Sequence, residues 1–282
     1  MFVDDLESAQ FYDALPRYGK EFYDYLYSSK IGLSSDSVIA DIGCGTGRIA
    51  IDLLERGSFV YGVDPDENMR KICSKKCEQF KDKFVLVDGT DSSMNIPDKS
   101  VDFVIVSQSY HRFDPESFRS ECNRVLKNPD NVLIFWYRVD YEAPIISEML
   151  NSVKKHYSGY ATRYDCDEVE GSKKEIAENN EIAGEFFSSN NVIHNIPSKS
   201  CLTREEFLNL GLSLALLPIT HEMNTISKVL NQPNFEKEAY ISDLNDIFEK
   251  YQSNGVLTLK LNIQLHASRS LSKAVRFRES LD

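Results

Sequence analysis

Apolar and polar positions along the 282-residue chain follow two periods in turn. From Asp36 onward, short apolar runs alternate with stretches in which apolar residues recur every three or four positions. Val38-Ile-Ala-Asp-Ile42 is such a run, ending in glycine, and predicts a buried parallel strand. Residues 48–56 predict a helix with Ile49, Leu53 and Leu54 on one side and Gly57 as its stop. Further strands are predicted at 59–63, 83–87, 101–106 and 132–137, with helices at 66–80 and 115–126. Asp114 is the candidate N-cap of the latter, and Pro115 suits its first position. Strands separated by helices of this length imply βαβ units and a parallel sheet covered on both faces.

The alternation ends near Asp140. Residues 140–200 are polar and charged without a clean period, which predicts helices laid as a lid over the sheet's carboxyl edge; 165–171 reads as a solvated loop and helix start. Thr203 and Glu206 form a capping-box pattern opening a helix to about Leu210. Residues 212–219 read as a strand and 236–251 as a helix. A last strand is expected at 256–266, with Leu257, Leu259, Leu261, Ile263 and Leu265 facing one way. The expectation is an α/β, doubly wound, mostly parallel seven-stranded sheet. Its segments are an N-terminal helical cover (1–35), a core (36–139), a helical lid insertion (140–200) and a completion of the sheet with a helical insertion (201–282). The cover is rich in tyrosine over 11–27, as either an aromatic helix packed on the domain or a flap over a bound group.

Composition narrows the partners. Lys+Arg 32 against Asp+Glu 44 gives a net charge of −12, which disfavours nucleic acid and anionic membranes. Hydrophobic residues at 41% and charged residues at 27% are globular values, against a disordered chain. No run approaches the roughly 20 apolar residues of a spanning helix. The acidic start lacks the basic and apolar regions of a secretion signal, so a cytoplasmic protein is expected. Six scattered cysteines do not suggest a disulfide framework. Cys73 and Cys77, four apart on a predicted helix, read as two surface thiols; no metal site is expected.

The chemistry gathers at Asp41-Ile-Gly43-Cys44-Gly45-Thr-Gly47, where a strand meets a helix. Glycines there let the backbone turn sharply and approach a ligand. A dinucleotide fingerprint fails because Arg48 stands where its third glycine belongs, and no P-loop lysine follows. Asp41 would repel a pyrophosphate but suits a ligand with positive charge, such as the ammonium and sulfonium of S-adenosylmethionine. Asp64 ends the second strand, where one carboxylate can accept from both ribose hydroxyls. Asp88 follows the third, placed to accept an adenine amine while neighbouring backbone N–H groups reach the ring nitrogens. The three acids would line one crevice at the carboxyl edge of the sheet.

Over residues 38–139 the chain resembles the class I S-adenosylmethionine-dependent methyltransferases. The resemblance is carried by VIADIGCGTGRIA, VYGVDPDENM, FVLVDGTDSSMNIPDKSVDFVIVSQSYHRFD and ECNRVLKNPDNVLIFWYRVD. Ser-Gln-Ser-Tyr-His-Arg-Phe-Asp and the Tyr12/Arg17-Tyr18 segment look like the small-molecule branch that includes trans-aconitate methyltransferase. Arg112 departs from that branch, which often has an aromatic residue after the histidine. The resemblance implies a Rossmann-like methyltransferase fold with S-adenosyl-L-methionine as cofactor. It places Asp41, Gly43, Cys44 and Gly45 around the methionine part and Asp64 with Pro65 at the ribose. Met69, Asp88, Gly89 and Thr90 would meet the adenine, and Ser107, Gln108 and Ser109 would flank the methionine moiety and the sulfonium. Tyr12 and Arg17 would close the pocket, Arg17 as a candidate partner of the cofactor carboxylate.

His111 is the best-placed candidate base, its alternative being a histidine that packs or hydrogen-bonds at the pocket rim. Arg112 and Arg138 could bind an acidic acceptor. The expected function is methylation of a small molecule at oxygen, nitrogen or a carboxylate. A non-catalytic module of the same fold, holding the cofactor or a partner, is the alternative. A nicotinamide-dependent oxidoreductase is disfavoured by Arg48.

Overall fold

The computed structural model describes residues 9, 12–140, 143–157, 168–214 and 235–268, without the side chains of 139, 168–173, 175 and 214. In chain order the elements are α1 (Lys20–Leu26), β1 (Val38–Ile42), α2 (Arg48–Glu55), β2 (Phe59–Val63), α3 (Glu67–Lys76), β3 (Phe84–Val87) and β4 (Phe103–Ser107). They continue with α4 (Pro115–Val125), β5 (Val132–Val139), α5 (Pro144–His156), α6 (Glu168–Phe187), β6 (Asn191–Leu202), α7 (Arg204–Leu214), α8 (Lys237–Tyr251) and β7 (Leu257–Ser268).

One seven-stranded sheet has the order β3-β2-β1-β4-β5-β7-β6. β1 pairs in parallel with both β2 and β4, through Asp41↔Gly62 and Asp41↔Ile105. β2 pairs with β3, and β4 with β5, also in parallel. The order reverses between β1 and β4, so the loops leaving these two strands flank the crevice where open α/β sheets take ligands. Helix starts follow local side-chain chemistry. Asp66 accepts from the Met69 N–H at 2.9 Å to cap α3, and Asp114 accepts from the Ser117 N–H at 2.9 Å to cap α4.

The described residues form two compact units. The first draws on Tyr18–Arg138, Glu178–Ser198 and Asn262–Asp282. Alternate strand residues feed its two cores: Ile39, Ile105, Leu133 and Phe135 pack with α1 and α2, while Ala40, Val104, Ile134 and Trp136 pack with α4 and the end of α6. The second unit draws on Met1–Arg17, Val139–Ala177 and Lys199–Leu261. Its core joins α5, α7 and α8 through Met149, Phe207, Leu244 and Phe248. No helix among the described residues is long and apolar enough to cross a membrane.

Four expectations are corrected. Residues 212–214, expected in a strand, close helix α7, and 215–219 lie outside the described residues. The strand that takes its place, β6, lies within the segment expected to be a helical lid. Its inward positions alternate as Ile196, Ser198, Ser200 and Leu202, so two serines hide the apolar period; Pro197 sits on an outward position of an edge strand, where no ladder hydrogen bond is needed. Cys73 and Cys77 are not surface thiols: both are buried in the core beside α2. Between Tyr12-Asp13 and α1 the tyrosine-rich segment leaves the helical conformation, so 11–27 is not one helix; Phe11 lies outside the described residues. The capping box is present, with the Thr203 N–H donating to Glu206 at 2.7 Å and the Glu206 N–H to Thr203 Oγ1 at 3.3 Å.

Candidate cofactor site

Gly43, Gly45 and Gly47 all have positive φ, at 71°, 55° and 80°, a region that side-chain-bearing residues avoid. Two of them are also hemmed in. A Cβ on Gly43 would lie 2.6 Å from Ser109 Oγ, and one on Gly47 would lie 2.7 Å from Cys73 Sγ. The loop after β1 is therefore pressed against the loop after β4 on one side and α3 on the other. Its N–H groups are fixed from β2: Gly43 and Cys44 both donate to the Val63 carbonyl, at 2.8 and 3.1 Å.

Asp64 completes the loop. One carboxylate oxygen accepts from the Gly45 N–H and the other from the Asp66 N–H, both at 2.9 Å. Each oxygen keeps a lone pair, so the group can accept two further hydroxyl protons. Burial raises its pKa, and the two backbone N–H groups pull it back. Pro65 is half-buried beside it, and Met69 is buried on α3.

Asp41 differs in kind. It is 0% exposed, and neither of its carboxylate oxygens has a hydrogen-bond partner. Burial first, and then the neighbouring Asp64, push its pKa up to about 7, against a weaker downward pull from the Ala50 N–H, which lies outside hydrogen-bond geometry. An acid left this way at a ligand crevice is stabilised by an incoming cation.

Around the crevice, Ser109 donates to the Ile42 carbonyl at 3.2 Å, Ser107 Oγ lies 2.8 Å from the Tyr18 hydroxyl, and Gln108 Nε2 donates to the same hydroxyl at 3.3 Å. Gly89 is closed in by Val63 and the Ser93 carbonyl, and Thr90 pairs with Ser93 in a tight turn. Asp88 stands apart: its carboxylate is exposed and gripped by both arms of the Arg70 guanidinium, at 3.1 and 3.0 Å. Arg70 also donates to the Asp64 carbonyl at 2.8 Å.

His111 is exposed on a one-turn 3₁₀ helix, Tyr110–Arg112, and its Nε2 accepts from Arg112 Nε at 3.2 Å. Cys44 is buried; the Cys73 hydrogen bond lowers its pKa, but burial with Asp41 and Asp64 carries the thiol up to about 11, so it stays protonated. Tyr12 and Arg17 belong to the second unit, Tyr12 half-buried against its apolar cluster and Arg17 exposed.

The structure thus brings together Asp41, the glycines, Asp64, Met69, Gly89 and the Ser107–Ser109 loop, and leaves Asp88 and His111 on exposed ground. Sequence reasoning missed two participants. Tyr18 was hidden among many tyrosines. Arg70 follows Asp66 by one helical turn, a spacing with no signal for an ion pair to a different strand end. Among the described residues no group of three or more His, Cys, Asp or Glu could hold a metal ion. The buried unpaired acid and the sterically closed glycine cradle fit a nucleoside that carries positive charge.

Comparisons with known proteins agree. Residues 40–134 match the family described as "Methyltransferase domain", whose cofactor is S-adenosylmethionine. An uncharacterized methyltransferase of Geobacillus sp. (strain WCH70) is 31% identical over 106 residues, 36% of this chain and 48% of that protein. An uncharacterized methyltransferase of Mycobacterium tuberculosis (strain ATCC 25618 / H37Rv) is 30% identical over 134 residues, 48% of this chain and 51% of that one. The chain thus spans about half the length of these relatives. A solved structure described as a type II methyltransferase from Anaeromyxobacter dehalogenans superposes with a TM-score of 0.55 at 15% identity, covering 90% of this chain and 97% of that one. At that identity the likeness shows the fold: a Rossmann-like methyltransferase fold.

Proposed function

We propose that this chain is an S-adenosylmethionine-dependent methyltransferase acting on a small-molecule acceptor at oxygen, nitrogen or a carboxylate. The observation that carries this reading is Asp41, a fully buried acid with no hydrogen-bond partner, set beside a three-glycine cradle fixed by Asp64. The cofactor supplies a methyl group activated on a sulfonium. Around it Asp41 would hold the cationic end, Asp64 with Pro65 the ribose, and Met69, Gly89 and Thr90 the adenine. Asp88 joins the adenine set through an oxygen already shared with Arg70. Gly43, Cys44 and Gly45 line the methionine part opposite Ser107, Gln108 and Ser109.

A carboxylate acceptor is already anionic and needs no base. For a hydroxyl or amine acceptor, His111 is the candidate base, and its Nε2 lone pair, which accepts from Arg112, would have to be released from that bond to take the proton. The net charge of −12 supports a partner other than nucleic acid or an anionic membrane. A relative in Saccharomyces cerevisiae, 27% identical over 176 residues, is named an S-adenosylmethionine-dependent methyltransferase and supports the same cofactor. The trans-aconitate-like branch remains the nearest expectation for the acceptor. The experiment is turnover of S-adenosylmethionine to S-adenosylhomocysteine over carboxylic acids, phenols and amines. Turnover confined to one class identifies the acceptor atom. Saturable cofactor binding with no turnover on any class would make the chain a binding module instead.

A further inference from the structure

Gln108, in the loop leaving β4, holds a backbone conformation that glycine usually fills, with φ of 60°. Its side-chain Nε2 donates to the Tyr18 hydroxyl, which lies 2.8 Å from Ser107 Oγ. Tyr18 is buried, its ring held against Phe22, Phe135 and Tyr137. Because the phenol oxygen accepts from Gln108, its own proton goes to Ser107, as buried hydroxyl protons are rarely left unpaired. Burial pushes the Tyr18 phenol above its ordinary range, so that proton stays in place. The chain of bonds therefore runs in one direction, from Gln108 through Tyr18 to Ser107. It does not use the hydroxyl proton of Ser107 or the Oε1 of Gln108, and so sets a donor beside an acceptor.

We propose that Tyr18 is a positioning residue that orients Ser107 as a donor and Gln108 Oε1 as an acceptor toward the zwitterionic amino-acid end of the cofactor, its carboxylate and its ammonium respectively. This rests on the proposed function, in which the loop flanks the methionine part. Tyr18 itself need not touch the ligand. The ring clusters with the core, so Tyr18→Phe keeps the packing and removes only the relay.

The test compares two ligands by calorimetry. S-adenosylhomocysteine has the amino-acid end; 5′-methylthioadenosine has the same nucleoside and thioether without it. Tyr18→Phe should weaken S-adenosylhomocysteine roughly tenfold, the factor for one hydrogen bond to a charged group, and leave 5′-methylthioadenosine unchanged. Ser107→Ala should show the same selectivity, and the double variant should lose less than the product of the two. Equal weakening of both ligands, or no change in either, overturns the role of Tyr18. Wild-type protein that takes neither ligand contradicts the cofactor reading itself.

Discussion

At the scale of residues, Asp41 sets the terms. A carboxyl group held at about 7 in the fold but near the ordinary carboxylate value when unfolded binds more protons in the folded state between those pH values. Stability contributed at this position therefore falls as pH rises through that window and levels off above it. Asp41→Asn removes the titration. Its unfolding free energy relative to wild type should shift in favour of the variant from pH 5 to pH 8, read from denaturant curves. A difference that does not vary with pH would show that the acid is paired after all. The same group predicts linkage to the ligand. A cation lowers the carboxyl pKa, so S-adenosylmethionine binding near pH 7 should release protons. Calorimetry in buffers of different ionisation enthalpy measures that release, and none would be seen if Asp41 does not face the charge.

At the scale of elements, the two loops at the strand-order reversal behave as one piece. Gly43→Ala would face a positive φ and the Ser109 side chain together. It should cost about 1–3 kcal/mol in stability, measured by thermal or chemical unfolding, and abolish cofactor binding. A stable variant with unchanged binding would mean that the loop adapts. This part of the site was legible because glycine spacing and strand-end acids are local facts. β1 through β5 and the cap at Asp114 were legible for the same reason. β6 was not, because its inward Ser198 and Ser200 are small and polar and its fit depends on lying at the sheet edge. The apolar stretch from Leu212 misled in the opposite sense: Leu210 and Leu212 fill a helix-packed core, where a short apolar run looks like a strand. The Arg70 grip on Asp88 and the Tyr18 relay were not legible either, since each joins elements far apart in sequence.

At the scale of the whole molecule, two buried groups pull the pH response in opposite directions. Burial first, then Arg138 and His194, lower the His266 pKa from 6.5 to about 4. The unfolded chain therefore takes up a proton between those values that the folded chain refuses, so stability is lost as pH falls from about 6.5 toward 4. The unfolding free energy of His266→Gln relative to wild type should shift in favour of the variant as pH falls from about 6.5 toward 4, and should not vary above pH 7. An equally steep acid limb in the variant would assign the loss to other groups. His266 lies on β7 at the far side of the sheet from β1, next to Asn191 at 3.2 Å, so its effect should add to that of Asp41. The most direct measurement of the central claim is a calorimetric titration of the full chain with S-adenosylhomocysteine, repeated with Asp64→Ala. Saturable binding at one site, weakened in the variant by about 1.5–3 kcal/mol, is the predicted result. No binding at millimolar ligand, or equal binding by both proteins, would contradict it.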